Sequence, residues 1–343
     1  MTLNQRLLLL ATLTLAMLAC DPKKPVDPAG AAAPPYVIAT TTMITDMAQT
    51  LAGEDLRVEG IMKPGGDPHL HKPSIGNARA TGVSDLVLTN GLYLEGWLDE
   101  LVRNAGGERP VKVVSDGVTP VTMEGMPGGV DPHFWFEIES WKIATGNVED
   151  AFVALLPDKA DGIRARSNAY EAELDRLDAW TRTNLETIPE KQRVLITSHD
   201  AFNYFGRAYG IEVVGIQGSS TEQEASQRDV ANTIELVRSR SVPAIFIESS
   251  VNPALIEQVA RETGVKALGP LFSDSIGTAG SGAETYVAMY AKNVEIITKG
   301  LGGVFTPFPA RGKAAVTSAP VEAVPTEAAP EAAAPNSPAT ETK

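Results

Sequence analysis

Short runs of aliphatic and β-branched residues alternate with amphipathic stretches along most of the chain. YVIATT (36–41) precedes MITDMAQTLAG, and SDLVLTNG (84–91) precedes LEGWLDELVRNAGG. RVLITSH then precedes AFNYFGRAYG, and PAIFIESS precedes PALIEQVARETG. Each run predicts a strand and each amphipathic stretch a helix, so the order predicts an α/β fold of parallel sheets covered by helices. Glycines stand where four of these helices should end: Gly53, Gly106, Gly210 and Gly264.

A different pattern occupies the middle of the chain, from residue 158 to residue 188. Ala, Leu, Glu and Arg dominate this segment, which has no proline and no run of β-branched residues. It predicts one long helix. Because this helix stands between two strand–helix repeats, we expect two lobes, residues 36–157 and 189–302, joined by a rigid strut. One continuous domain with a long surface helix is the alternative that the pattern leaves open.

The N-terminal segment has the pattern of an export signal. Residues 7–19, LLLLATLTLAMLA, form an apolar run behind Arg6, and Cys20 follows at once. The run is short for a membrane span and suits the core of a signal peptide. Ala19 before Cys20 is similar to a bacterial lipoprotein processing site, so we expect residues 1–20 to be a lipoprotein signal peptide and Cys20 to be lipidated. The alternative is an ordinary secretory signal with an incidental cysteine.

Two low-complexity segments flank the predicted lobes. Residues 21–35 are rich in Pro and Ala and predict a flexible tether. Residues 303–343 consist largely of Ala, Pro and Glu, with too little apolar bulk to offset the entropy of the chain. They predict a disordered tail.

Composition and charge narrow the class of protein. The 343 residues are 43% apolar and 21% charged, which suits a soluble globular protein with two domains. The net charge of −14 argues against a nucleic-acid partner, because phosphate binding needs clustered Lys and Arg. Cys20 is the one cysteine, so no disulfide can form within the chain.

The chemistry that the sequence offers is concentrated in its four histidines. His69 and His133 each end an Asp-Pro-His tripeptide, and His199 ends the predicted strand RVLITS. Ligands of open α/β sheets bind beyond the carboxyl ends of the strands. Proline fixes the backbone before two of the imidazoles, and the repeat indicates that both are directed at one point. For each histidine taken alone, a hydrogen-bonded residue without a metal is the alternative.

Three imidazoles predict a metal site, and a fourth ligand remains to be identified. Zn²⁺ prefers four ligands in a tetrahedron, drawn from His, Cys and carboxylates, and Cys20 is expected to lie in the anchor. The segment GPLFSDSIGTAG offers Asp274 in a Ser/Gly-rich loop after a predicted strand. Taken alone, an Asp in such a loop is more typical of a turn-capping residue.

Several motifs together resemble the metal-specific solute-binding lipoproteins of ABC transporters, a family that includes TroA, the ZnuA zinc binders and the manganese-binding adhesins. Within this family the motifs resemble those of TroA. The resemblance extends over residues 36–302 and rests on PGGDPHLHKP (64–73), SDLVLTNGLYLEGWLDELV (84–102), DPHFWFE (131–137), TSHDAFNYFGRAYGIEVVGIQGSSTEQEASQRDV (197–230), PAIFIESSV (243–251) and LFSDSIG (271–277).

The resemblance implies two lobes on one rigid linking helix, with a metal ion in the cleft between them. It assigns His69 and His133 of the first lobe, and His199 and Asp274 of the second, as the ligands. It also implies an extracytoplasmic receptor that delivers its metal to a permease in the plasma membrane. We expect a monomer with a lipid anchor, on the periplasmic side of the inner membrane or at the cell surface.

Two departures from the family pattern bear on the metal. Zinc-specific members often carry a long His-rich loop before the second ligand motif, whereas MEGMPGGV (123–130) is short and has no histidine. His71 replaces the aromatic residue, usually Tyr, of the family pattern. It either lines the cleft as a neutral substitution, or it serves as an auxiliary ligand or as a hydrogen-bond partner of a ligand. Asp67, Asp131 and Glu248 are candidates to accept the remaining imidazole N–H, with turn or surface roles as the alternative.

Three imidazoles and one carboxylate bind Zn²⁺ more tightly than Mn²⁺ by the Irving–Williams order, so we expect both to bind, zinc more tightly. Binding through both oxygens of Asp274 would make Mn²⁺ or Fe²⁺ more acceptable. A metal-dependent hydrolase is the rival class, but four protein ligands leave no position for an activated water, and no His-Glu-x-x-His run is present. A surface adhesin is a third interpretation.

Overall fold

The computed structural model describes residues 33–309, apart from 124–126, 219 and 223–224. The predicted signal peptide with Cys20, most of the tether and the tail from residue 310 lie outside the described residues. Within them the chain forms two four-stranded sheets, and every pair of neighbouring strands is parallel. The predicted α/β fold is confirmed.

Among the described residues, the first lobe contains four strands and four α-helices. Its strands lie in the order β2-β1-β3-β4 and are β1 (Tyr36–Ala39), β2 (Arg57–Gly60), β3 (Leu86–Thr89) and β4 (Val111–Val113). Its helices are α1 (Thr42–Ala52), α2 (Ile75–Gly82), α3 (Leu98–Ala105) and α4 (Ile138–Leu155). Strands β1 and β3 at the centre are almost wholly buried and aliphatic, as expected of a parallel sheet covered on both faces.

The second lobe repeats this arrangement after the long helix α5 (Ala160–Leu185). Its strands lie in the order β6-β5-β7-β8 and are β5 (Val194–Thr197), β6 (Glu212–Gly215), β7 (Ala244–Glu248) and β8 (Lys266–Leu271). Its helices are α6 (Asn203–Tyr209), α7 (Gln227–Arg240), α8 (Ala254–Thr263) and α9 (Tyr286–Gly300). In both sheets the strand order changes direction beside the first strand, and ligands of such sheets bind at the carboxyl edge there.

Helix ends follow signals in the sequence. The side chains of Ser74 and Ser226 accept a hydrogen bond from the backbone three residues on, and Asn77 and Asp229 return one, so that α2 and α7 begin with capping boxes. The predicted glycine stops are confirmed, since the four glycines are the C-caps of α1, α3, α6 and α8.

Helix α5 packs against both lobes along one stripe. Its buried residues recur at helical spacing, from Ile163 through Tyr170 and Leu177 to Thr181. The stripe contacts α1 and α4 of the first lobe and α9 of the second. The helix is therefore a shared wall of the two lobes as well as their covalent connection.

One continuous hydrophobic core extends through both lobes. Large aromatic side chains at its centre are fully buried, and the rings of Trp141 and Tyr286 stack with centroids 4.6 Å apart. The Tyr286 hydroxyl donates to the Trp135 carbonyl over 2.6 Å, and the Tyr290 hydroxyl donates to Phe136 over 3.0 Å. Helix α9 of the second lobe is thereby hydrogen-bonded to the segment that follows His133 in the first.

The start of the predicted tail differs from the expectation. Residues 304–308 pack along α5, where the Trp180 indole donates to the Thr306 carbonyl over 2.8 Å and Thr306 N–H donates to Asn184 over 2.7 Å. Phe305 and Phe308 contact the Trp180 ring with centroids 5.9 and 5.1 Å away. Two aromatic residues within a Pro-rich segment supply the apolar area that the rest of the predicted tail lacks.

No helix in the described part of the chain combines the length and the apolar character that crossing a bilayer requires.

The hydroxyl of Tyr286 offers a test of the contact between the lobes. We expect Tyr286→Phe to lower the free energy of unfolding by about 1–3 kcal/mol, because the buried Trp135 carbonyl loses its donor while the ring packing is retained. Urea denaturation followed by circular dichroism measures the change. Tyr36→Phe is the control, since the Tyr36 hydroxyl donates to Glu59 at an exposed position. Equal stabilities for the two variants would contradict this account of the core.

Candidate metal centre

Four side chains from the two lobes meet at one buried point. His69, His133, His199 and Asp274 each offer one ligand atom, and these atoms all lie within 4.8 Å of one another. His69 Nε2 is 3.2 Å from His133 Nε2, and Asp274 Oδ1 is 3.5 Å from the Nε2 atoms of both His133 and His199. The exposed fraction is 8% for His69 and 0% for the other three.

These separations suit a tetrahedral metal ion. Nitrogen and oxygen ligands at about 2.0–2.1 Å from Zn²⁺ stand at the corners of a tetrahedron whose edges are about 3.3–3.4 Å. His199 Nε2 and Asp274 Oδ1 are buried, and neither has a hydrogen-bond partner among the described residues. Buried polar atoms normally have a hydrogen-bond partner. Two buried atoms that both lack one and that face each other fit a site that binds a cation.

The repeated Asp-Pro-His tripeptide folds in the same way in both places. Asp67 Oδ1 accepts the backbone N–H of His69 over 2.8 Å, and Asp131 Oδ1 accepts that of His133 over the same distance. Each carboxylate thus closes a short turn around the proline. The first turn lies in the loop between β2 and α2, the second in the loop between β4 and α4. Both loops leave the carboxyl edge of the first sheet.

Two of the imidazoles have a carboxylate beside Nδ1, in a hydrogen bond at His133 and in an ion-pair contact at His199. Asp131 Oδ1 is 2.7 Å from His133 Nδ1, and Glu248 Oε2 is 2.6 Å from His199 Nδ1. Glu248 Oε1 also accepts the backbone N–H of His199 over 2.8 Å. A carboxylate on Nδ1 fixes the tautomer and the ring orientation, which leaves Nε2 to face a metal. Asp67 differs, because its contact is with the backbone of His69.

Close backbone packing positions His199. Thr197 Oγ1 at the end of β5 donates to the His199 carbonyl over 2.7 Å, and Asp200 N–H donates to the Gly218 carbonyl over 3.3 Å. A Cβ atom on Gly215, at the end of β6, would lie 2.5 Å from the Asp200 nitrogen. Glycine is therefore required for the turn that carries His199 to pack on its neighbour strand.

Asp274 lies in the loop between β8 and α9, where serines surround it. Ser250 Oγ donates to Asp274 Oδ2 over 2.8 Å, and Ser273 Oγ lies 3.3 Å from the same oxygen. The next serine, Ser275, bridges to the first lobe, accepting the Gly65 N–H over 2.7 Å and contacting Thr42 Oγ1 at 3.1 Å. The loop that presents Asp274 is thus fastened on both sides.

Burial and neighbouring charges act in opposite directions on the histidines. Burial lowers the pKa of His69 to about 3. Burial also lowers that of His133, but the Asp131 and Asp274 carboxylates together outweigh it and raise the pKa of His133 to about 9. The charges of Glu248 and Asp274 likewise outweigh burial at His199 and raise its pKa well above the usual value.

The carboxylate of the cluster is held in its charged form. Burial favours the neutral acid, but the nearby His199 and His133 outweigh burial and keep the pKa of Asp274 well below its usual range. Asp67 is not part of the cluster, and its pKa is raised by burial and by the charge of Asp274. One permanent negative charge therefore faces the Nε2 atoms of the three histidines.

The second lobe also supports the candidate ligands of the first. Asn203 Nδ2 donates to Asp131 Oδ2 over 2.9 Å, and Tyr204 Oη donates to the Asp131 carbonyl over 2.9 Å. Thr221 Oγ1 donates to Asp67 Oδ2 over 2.6 Å. These three residues could not be predicted, because a hydrogen bond between residues more than 70 positions apart leaves no periodic or local signal in the sequence. They lie within the motif at 197–230, but nothing in that motif indicates which carboxylate they contact.

In the reverse direction, the first lobe supports the segment that carries Asp274. The Trp135 indole donates to the Ser273 carbonyl over 2.9 Å.

Asn90, after β3, donates to the Pro132 carbonyl over 3.1 Å, and Glu95 accepts the Asn90 N–H over 2.6 Å. A buried chain of hydrogen bonds thus runs from the edge of β3 to the turn that presents His133.

His71 does not join the cluster. Its ring packs edge to face on Trp97 with centroids 4.8 Å apart, and the Trp97 indole donates to the Pro68 carbonyl over 2.8 Å. The group of possible metal ligands found in the described residues comprises the three histidines and Asp274 without it. His71 therefore lines the loop beside His69, which fits the alternative of a substitution without a ligand role.

Known proteins are similar to this chain in both sequence and fold. The TroA zinc-binding protein of Treponema pallidum is 39% identical over 274 residues, covering 78% of this chain and 89% of its own. The manganese-binding lipoprotein MntA of Bacillus subtilis is 38% identical over 274 residues, covering 77% of this chain and 89% of its own. The solved structure of periplasmic zinc-binding TroA from Treponema pallidum superimposes with a TM-score of 0.75 at 38% identity, covering 78% of this chain and 99% of that one.

A family model described as ZnuA, zinc-uptake complex component A periplasmic, matches residues 37–300. The match extends from β1 to the last turn of α9 and includes all four residues of the cluster. The resemblance that the motifs indicated is confirmed, and the chain belongs to the ZnuA family of metal-binding components of ABC transporters.

Proposed function

We propose that this protein is the extracytoplasmic receptor of a metal ABC transporter, which captures Zn²⁺ or Mn²⁺ and delivers it to a permease in the plasma membrane. His69, His133, His199 and Asp274 are the proposed ligands. The observation that carries the proposal is their meeting as one buried cluster with separations of 3.2–3.5 Å between neighbouring ligand atoms. Asp131 and Glu248 orient two of the imidazoles, Asp67 shapes the turn of the third, and His71 has no direct part.

The named relatives support both metals. TroA is named for zinc and MntA for manganese, and the chain is nearly equally similar to each. Three imidazoles favour zinc in the Irving–Williams order, so zinc is the tighter ligand of the two and Fe²⁺ is a possible further one. Four protein ligands fill a tetrahedron and leave no open position for an activated water. This chemistry supports a carrier rather than a metal-dependent hydrolase, and no contact at the site favours an adhesin.

The arrangement suggests how the ion is held and released. Each lobe contributes two ligands, so a metal ion bound by all four ties the lobes together. Release then requires the second-lobe ligands to separate from those of the first. The core shared by the lobes and α5 opposes a wide hinge opening, so the movement is confined to the loops that present His199 and Asp274.

The proposed organisation has a lobe on each side of the linking helix, with residues 36–157 and 189–302 as lobes and 158–188 as the helix. A lipid on Cys20, a tether to residue 35 and a monomeric body complete the proposal. A lipid anchor confines the receptor to the membrane that holds the permease and so raises the effective concentration at which the two meet.

Metal binding by the purified protein tests the four ligands. We expect His199→Ala to lower Zn²⁺ affinity by at least about 100-fold, since even a residue that only hydrogen-bonds a metal ligand contributes about 10–100-fold. His71→Ala is the matched control and should bind with the affinity of the unchanged protein. Competition titrations with a zinc-sensitive dye give the affinities, and the same titrations with Mn²⁺ should show weaker binding. Equal loss in both variants, or manganese displacing zinc at equal free concentrations, would contradict the proposal.

The anchor is tested in the cell envelope. We expect the full chain to fractionate with membranes and to incorporate labelled fatty acid, and Cys20→Ser to abolish the labelling, because the thiol is the proposed site of attachment. Detergent fractionation followed by immunoblotting measures the distribution. Release of an unlabelled but still exported Cys20→Ser protein would support the anchor, whereas labelling of this variant would refute it.

Metal binding should displace protons. With the pKa of His133 raised to about 9 and that of His199 raised as well, both imidazoles are protonated at pH 7 before metal binds, whereas His69 is neutral and Asp274 charged. Ligation requires neutral imidazoles, so about two protons, one from each charged ring, are released at pH 7. Affinity then rises with pH, and the release falls as the pH passes about 9, where His133 loses its own proton. Isothermal titration in buffers of different ionisation enthalpy counts the protons, and no release at pH 7 would refute the assignment.

A further inference from the structure

The two oxygens of Asp274 have different surroundings. Oδ1 faces the Nε2 atoms of His133 and His199 at 3.5 Å each and has no hydrogen-bond partner among the described residues. Oδ2 accepts the hydroxyl proton of Ser250 over 2.8 Å. The carboxylate therefore directs one oxygen to the cluster, while the other is engaged on the opposite side.

Ser250 is well placed to keep this arrangement. It lies two residues beyond Glu248, the carboxylate that holds His199 at the end of β7, so it belongs to the same edge of the second sheet. Ser250 Oγ is also 3.1 Å from Ser273 Oγ, which itself lies 3.3 Å from Oδ2. A hydroxyl has one proton to donate, and the shorter distance assigns that of Ser250 to Asp274. Ser273 is a weaker second donor.

The number of carboxylate oxygens that reach a metal influences which metal is favoured. Zn²⁺ in protein sites is most often tetrahedral with four ligands, whereas Mn²⁺ prefers octahedral surroundings rich in oxygen. With three imidazoles, a carboxylate that binds through one oxygen completes four ligands, and one that binds through both supplies a fifth. A hydrogen bond to a charged carboxylate oxygen is among the stronger ones, so displacing it by a metal has a cost.

We propose that Ser250 determines metal preference, because its hydroxyl holds Oδ2 of Asp274 away from the metal and so favours Zn²⁺ over Mn²⁺. Ser250 acts through Asp274 and is a positioning residue that does not touch the metal. The inference rests on the proposed function, in which Asp274 is a ligand. It adds that this chain limits its carboxylate to one oxygen.

Substitution of Ser250 tests the proposal by the ratio of two affinities. We expect Ser250→Ala to lower the ratio of Zn²⁺ to Mn²⁺ affinity by about tenfold, the lower end of what hydrogen-bond partners of metal ligands contribute. Ser250→Thr keeps the hydroxyl and should keep the ratio. Ser273→Ala removes the longer contact and should change the ratio less. Ser250→Gly removes the same hydroxyl as Ser250→Ala and provides a second variant for the measurement.

A second readout separates positioning from a general loss of structure. X-ray absorption at the zinc and manganese edges counts the light-atom ligands, and we expect one additional oxygen at the metal in Ser250→Ala. A merely structural role for Ser250 would weaken both metals in equal proportion and leave the ligand count unchanged. Either the same ratio as the unchanged protein or the same ligand count would overturn the inference.

The outcomes also distinguish this inference from the proposed function. If the unchanged protein binds neither Zn²⁺ nor Mn²⁺, the proposed function itself fails. If it binds both, Asp274→Asn weakens them, and the Ser250 variants retain the original ratio, then Asp274 is a ligand and only the role of Ser250 is wrong.

Discussion

The carboxylate of Asp131 is the contact on which the metal centre most depends. It closes the turn that presents His133, lies 2.7 Å from the Nδ1 atom of that ring, and accepts a hydrogen bond from Asn203 of the other lobe. The carboxylate and the ring are both buried, and a buried charge is tolerated only when partners on every side compensate it. One carboxylate therefore orients the ring, closes the turn before it and contacts the second lobe.

The same principle explains why the site can be strongly polar inside an apolar core. His199 with Glu248, and Asp274 with Ser250, repeat the arrangement in which a hydrogen-bond partner on one side directs the ligand atom to the other. Such a network is costly if any member is missing, because a buried donor or acceptor then has no partner. The capture of a cation by this cluster therefore depends on residues well outside the four that would touch it.

Much of this organisation could be predicted from the sequence, and the limits are physical. Local features were predictable: alternating patterns gave the α/β class, glycines marked the helix ends, and the repeated Asp-Pro-His indicated two imidazoles directed at one point. Asp274 needed the family resemblance, since an Asp in a Ser/Gly loop is ordinarily a turn residue. The partners Asn203, Thr221 and Ser250 could not be predicted, because they meet carboxylates only after both lobes have folded. Phe305 and Phe308 show a further limit, since two aromatic residues are enough to order a segment of low complexity.

Three hydrogen bonds beside the cluster cross from one lobe to the other. They run from Thr221 to Asp67, from Asn203 to Asp131 and from Trp135 to Ser273. Each half of the cluster is held in part by residues of the opposite half. An isolated lobe would lose these bonds and would hold its pair of candidate ligands less firmly than the whole protein does. A partner that loosens one of these loops would therefore weaken the support of candidate ligands in both lobes.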